Sequence, residues 1–309
     1  ITKHARNEDC IREHGMMGET PFCLVRNWWV AVSPLALENI ERMAPSSIGC
    51  SLKKLDLRNT GLINILPKLR IHGDCEIESL RLTASEEAHV AEVLAQENPF
   101  CVGRVKNMWL EGYAVGVITK MSLKDCEFED LSLIATRREH VVGIFKQEKH
   151  FCVGRVKNMW LRDYAVGVIT KMSLKDCEIA WLNLIASEEA HVVSVLEQEK
   201  PFCVGGVKTM WLYEYAASVI TKMTIHEDNT MESFVLRGHE DQLSRILKEK
   251  DNSIDLGRIR TGGLRVPEKI KRKLRYTLVD EEGKEMLEER DSSKWWRRRW
   301  WVTRKKDFE

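Results

Sequence analysis

Residues 101–110 read CVGRVKNMWL, residues 152–161 repeat them letter for letter, and residues 203–212 return as CVGGVKTMWL, a period of 51. Between residues 101–127 and 152–178 only two positions differ, Glu111/Arg162 and Gly112/Asp163. Such near-identity within one chain marks a duplicated structural cassette, and a period of this size belongs to stacked-repeat architectures. A repeat unit buries its apolar face only against its neighbours, so the fold has to be read as a stack.

The cysteines halve the period. They stand at 50, 75, 101, 126, 152, 177 and 203, in steps of 25 and 26. One step earlier lies Cys23, and one step later Asn229 opens NTMESFVL, a relative of CEIESLRL at Cys75. The unit is therefore about 25.5 residues, with eight or nine copies over residues 23–250. Each copy carries apolar residues at a fixed offset from its cysteine. Leu52, Leu55 and Leu57 are matched by Ile77, Leu80 and Leu82, by Phe128, Leu131 and Leu133, and by Ile179, Leu182 and Leu184. In the alternate units the same pattern stands two residues further from the cysteine, as Val105, Met108 and Leu110, then Val156, Met159 and Leu161, then Val207, Met210 and Leu212. A period-2 ending of this kind predicts a short strand with one buried face.

This pattern resembles the leucine-rich repeat, most fully in Leu52-x-x-Leu55-x-Leu57-x-x-Thr60-x-Leu62. Thr60 stands where the family has Asn or Cys, and Tyr113 and Tyr164 fill that place in two other units. The resemblance implies an α/β solenoid with a parallel concave sheet and alternating helical and irregular convex segments. On the convex side, SEEAHVAEVLAQE and its copies carry Val90, Val93 and Leu94 at helical spacing, and Ser85 and Ser187 are expected as N-caps. The intervening EGYAVGVITKMSLKD segments, rich in Gly and β-branched residues, are expected to lack a comparable helix. Alternating units of this sort are similar to the repeat arm of NOD-like (NACHT-LRR) innate-immune receptors, and cysteine-led units also occur in F-box-linked repeat proteins. The first likeness implies ligand sensing, the second a substrate-recognition adaptor of a ubiquitin ligase.

Function on such a scaffold is expected on the exposed strand positions. Trp109, Trp160 and Trp211 occupy the middle outward position of their strands, about 10 Å apart at two strand spacings, with Trp181 on the same face between them. Trp and Tyr dominate binding hot spots, so this row predicts a protein-binding surface; the alternative is that the rings pack on one another. Lys106, Lys157 and Lys208 alternate with the tryptophans, and the cassettes diverge just after the strand at Glu111, Arg162 and Tyr213. A protein ligand on the concave face is the expected partner, with no small-molecule substrate and no cofactor. The evenly spaced cysteines predict a buried free-thiol ladder, which suits a reducing cytoplasmic compartment. His89, His140 and His191 recur on the convex side too far apart to share a metal ion. No nucleotide-binding, metalloprotease or nucleophile-elbow motif occurs, and a duplicated cassette argues against one unique active site, so no enzyme is expected.

Composition agrees with a globular protein. Of 309 residues, 43% are hydrophobic and 31% charged, and the net charge is +1. Residues 237–309 hold 21 Lys/Arg against 15 Asp/Glu. No apolar run reaches the length of a membrane span, and no secretory leader follows Ile1. Residues 1–22 are expected as an eroded edge or cap, and a nucleotide-binding domain or F-box would have to precede Ile1. Residues 251–309 are expected as a charged linker, broken at Gly262, Gly263 and Pro267, and a disordered tail. Residues 294–306 of that tail pack seven cations and four tryptophans, a composition suited to a membrane interface or to nucleic acid.

Overall fold

The computed structural model describes residues 33–286 and the backbone of residues 22–26. Ten strands form one parallel sheet in strict chain order. They are β1 (Phe22–Arg26), β2 (Leu52–Arg58), β3 (Glu76–Ala84), β4 (Arg104–Gly112), β5 (Glu127–Ala135), β6 (Arg155–Asp163), β7 (Glu178–Ala186), β8 (Gly206–Glu214), β9 (Ser233–Arg237) and β10 (Leu264–Arg265). Sequential order with every pairing parallel means that the chain makes one same-handed turn per strand, a stack of repeated strand–helix units compatible with a solenoid.

Strand positions follow the register anchored on the cysteines, though the strands themselves are unevenly spaced. Ile77 pairs with Val105, 28 residues on, whereas Asn107 pairs with Asp130, 23 on. The 51-residue cassette is thus two unequal turns. One face of the sheet is sealed: Val105, Met108 and Leu110, with their counterparts in β2 to β9, are all at most 2% exposed. This shared core is the main source of stability, since a Leu→Ala change at such a position costs about 2–5 kcal/mol.

The turns facing the core are helical in both kinds of unit, contrary to expectation. The intervening segments form eight-residue 3-10 helices at Gly61–Lys68, Tyr113–Lys120, Tyr164–Lys171 and Tyr215–Lys222. The segments expected as helices are shorter, a three-residue 3-10 turn followed by four-residue helices Ala91–Leu94, Val142–Phe145 and Val193–Leu196. A row of lysines ties the two kinds together. Lys120, Lys171 and Lys222, each the last residue of its 3-10 helix, donate to Gln96 O, Gln147 O and Gln198 O at 2.6–2.7 Å. Those carbonyls lie just beyond the preceding unit's helix, where the dipole is negative. Lys68 does the same for Met43 O, and Lys273 for Glu249 O.

Ser85 and Ser187 are not the caps. Their N–H groups point back to the preceding strand's turn, where Asn59 Oδ1 and Asp163 Oδ1 accept them. Two of the recurring histidines take the capping role, His140 Nδ1 accepting from Arg137 N–H and His191 Nδ1 from Glu188 N–H, whereas His89 Nδ1 is buried without a partner. The thiol ladder also differs from expectation: Cys126 and Cys177 are buried, whereas Cys101 and Cys152 are exposed. Cys101 and Cys152 follow half-buried Phe100 and Phe151 in two-residue strands, where period-2 alternation turns the second side chain outward. Burial pushes the Cys126 and Cys177 thiols up, and that of Cys50 to about 11, which suppresses the thiolate.

The array does not stop at residue 250. Ile254–Arg260 and Leu274–Val279 are strands that bury Ile254, Leu256, Ile259, Leu274 and Val279, with the helix Glu268–Lys271 between them. The glycines and proline expected to break the chain are turn residues within this structure. Gly262 has φ 80°, a Cβ on Gly263 would meet Glu232 O at 2.2 Å, and Pro267 precedes the helix. Glu285–Met286 then pairs antiparallel with Leu274–Val279 and ends the parallel order. The tail residues 287–309, with the Trp/Arg run, and the edge residues 1–21 lie outside the described residues. No described helix is long and apolar enough to cross a membrane.

Candidate protein-binding face

The strand register decides which outward side chains meet. The middle position gives the row Asp56, Arg81, Trp109, Ser132, Trp160, Asn183, Trp211 and Val235, one residue per strand from β2 to β9. Trp109, Trp160 and Trp211 stand in this row as the repeat predicts, separated by Ser132 and Asn183. Trp181 is on the same face two positions earlier, opposite Asn158 and Thr209.

That offset makes the face asymmetric. Trp181 fills the space between two rungs, with its ring centroid 6.3 Å from Trp160 in near-parallel stacking and 4.5 Å from Trp211 edge-on. Tyr213 adds a fourth ring, 6.1 Å from Trp211. Such pairs contribute about 0.5–1.5 kcal/mol each beyond area burial. Trp160 keeps 45% of its surface exposed, whereas the other three are half-buried. Three of the four tryptophans thus pack on one another, and Trp160 leaves an open aromatic surface beside them.

Trp109 stands apart from this cluster. Ser132 separates it from Trp160, the Arg81 guanidinium lies 4.8 Å over its ring, and its Nε1–H reaches Glu111 Oε2 at 3.4 Å. Arg58 nearby donates twice to Asp56, and this bond with the charges of Asp56 and Glu111 raises its pKa further. Lys106 and Lys157 are committed at the strand entrances to Glu76 (3.0 Å) and Glu129 (2.7 Å), away from the rings. Lys208 is exposed at the same edge. Of the divergent positions, Glu111, Arg162 and Tyr213 share the outward row that also holds Ile134, Ile185 and Arg237.

The sequence reading missed Arg81, Asn183, Ile185 and Arg237. Arg81 and Asn183 were accessible to it, because each sits between two core leucines as Trp109 sits between Met108 and Leu110. Four polar atoms of this face, Arg81 Nε, Trp181 Nε1, Asn183 Oδ1 and Trp211 Nε1, are buried by neighbours without a hydrogen-bond partner. Among the described residues no group of three or more His, Cys, Asp or Glu side chains is placed to hold a metal ion. A groove of about 520 Å³ lies at the strand entrances. It is lined by Arg104, Lys106, Arg155, Glu76, Glu127 and Glu129, which are largely paired with one another or with neighbours. No known family profile matches the chain, and neither a curated protein nor a solved structure is similar to it.

Proposed function

We propose that the chain is a non-catalytic recognition module of the leucine-rich-repeat type, binding a protein partner on the open face of its sheet, read as the concave side. The observation that carries this reading is the cluster of Trp160, Trp181, Trp211 and Tyr213, four large rings on one exposed sheet face with Trp160 nearly half open. Aromatic side chains supply much contact area for little conformational entropy, and a packed cluster is ordered before the partner arrives. A ligand-sensing role in the cytoplasm, as in the repeat arms of NOD-like receptors, is part of this proposal and rests on the resemblance of the sequence alone. The Trp/Arg run of residues 294–306 has no part in this reading.

Trp160→Ala tests it. The full chain and this variant are used as baits in cytoplasmic extract, each first shown to unfold cooperatively. A partner retained by the native chain and lost from the variant supports the open face as the binding surface. The same partners on both baits would sink it. A bait ending near residue 255 is unsuitable, because it severs strands whose side chains are in the core.

A further inference from the structure

The recognition face is not uniform in charge along the stack. In the three outward rows, β2 to β5 carry Lys54, Arg58 and Arg81 against Asp56, Glu111 and Asp130, a balanced set with Arg58 paired to Asp56. Over β6 to β10 the same rows carry Arg162, Arg237 and Arg265 and no acid, although Arg162 Nε lies 3.7 Å from the buried carboxylate of Asp163 at the end of β6. All three arginines are exposed; Arg162 pairs in register with Ile185, Arg237 with Tyr213, and Arg265 lies two strands from Trp211. Lys208 adds a cation at the edge, next to Glu232, which precedes β9 and donates its N–H to Lys208 O. Among the unpartnered buried atoms of this part of the face, the indole N–H groups of Trp181 and Trp211 are donors without acceptors, and Asn183 Oδ1 is an acceptor without a donor.

Resting on the reading of this face as a protein-binding surface, we propose that its occupant is an extended acidic peptide segment, whose apolar side chains lie on Trp160 and Ile185 while its carboxylates meet Arg162 and Arg237. Arg162 and Arg237 are three strands apart, or about 14 Å. An extended chain covers that distance in about four residues, so the segment carries two acids about four residues apart with apolar side chains between them. Guanidinium groups suit this task because they bind carboxylates bidentately. A single-stranded nucleic acid would also meet arginines and aromatic rings. It needs open ring faces to stack on, and here Trp181 and Trp211 cover each other, leaving Trp160 as the one broadly open ring.

The probes are a labelled peptide alternating Leu or Phe with Glu or Asp, the same peptide with Lys and Arg in place of the acids, and an oligothymidylate of equal charge. Binding to the full chain is followed by anisotropy and by the tryptophan emission of the protein. The acidic peptide is expected to bind at least about ten-fold tighter than either alternative, as an opposite-charge match predicts, and to weaken as salt is raised. Arg237→Glu and Trp160→Ala are each expected to weaken it by about ten-fold or more. Arg237→Gln, which keeps size and solubility, is expected to give an intermediate loss and guards against misfolding of the reversal variant. Equal or tighter binding of the basic peptide or the oligonucleotide overturns the proposal, as does acidic-peptide binding that all three variants leave unchanged. A Trp160-dependent partner without acidic character would remove the acid preference while leaving the recognition face standing.

Discussion

Asp163 and Glu214 hold backbone angles (φ 56° and 57°) that Gly112, their counterpart in the first cassette, adopts at φ 67°. Left-handed φ with strongly negative ψ suits glycine and costs other residues about 1–3 kcal/mol. Asp163 recovers part of this by accepting from Ser187 Oγ at 3.0 Å, as Asn59 Oδ1 accepts from Ser85 in an earlier turn. Glu214 recovers less, since its Oε2 is buried without a partner. Glu214→Gly is therefore expected to raise stability by about 1 kcal/mol in urea unfolding, and Asp163→Gly to change it less. The two positions at which the cassettes diverge thus have separate roles, the first facing outward and the second shaping the turn beneath. A pH effect also belongs to this scale. Burial and the Arg137 charge hold the His140 imidazole below its ordinary value of 6.5. Its stabilising contribution is complete above that value and is lost as pH falls toward the depressed folded-state value, because the unfolded chain takes up a proton that the folded chain resists. His140→Gln is expected to flatten that part of the stability–pH curve, followed by thermal unfolding between about pH 7 and pH 5.

At the scale of elements, the 3-10 helices and the short helices depend on each other. Neither has the length to persist alone in water, since isolated helices under about 12 residues are marginal. Each lysine at the end of a 3-10 helix satisfies a carbonyl of the turn before it, so a local cap becomes a joint between units. Lys171→Met keeps the aliphatic stem and removes the donor to Gln147 O. It is expected to cost about 1.5–3 kcal/mol, the usual worth of a hydrogen bond to a charged group, read as a lower urea midpoint with an unchanged slope. The I-T-K triplet of three cassettes was visible in the sequence, but a lysine next to apolar residues reads there as a solvated end, because its acceptor is 24 residues away.

For the whole molecule, a stack of parallel strands leaves two edges, and each needs cover. At the C-terminal end that cover is residues 254–286, whose last strand turns antiparallel. Ending the chain at residue 250 would uncover Met231 and Phe234, both now at 0% exposure. The shortened chain is expected to bind a hydrophobic dye and to self-associate, which sedimentation velocity would detect; a monomer with unchanged unfolding would contradict the capping role.

The duplicated cassette and its cysteine ladder determined the repeat, the strand positions and the inward residues. Leu, Val and Met at period 2 can bury only one face, and a unit with one apolar face has to stack. The outward position of Trp109, Trp160 and Trp211 follows from the same parity. The partners of those rings were decided by the tertiary structure, because alternate turns of 28 and 23 residues set which positions of neighbouring strands coincide. That register brings Trp181 between Trp160 and Trp211 and leaves Trp109 with Arg81. It also places Arg162, Arg237 and Arg265 in outward rows that hold no acid over β6 to β10, with Arg162 next to the buried Asp163 carboxylate at the strand end. The ordered end came from tertiary context as well. Residues 251–286 are too charged for a core of their own and too irregular to continue the repeat by pattern, yet they bury their few apolar side chains against a stack already formed.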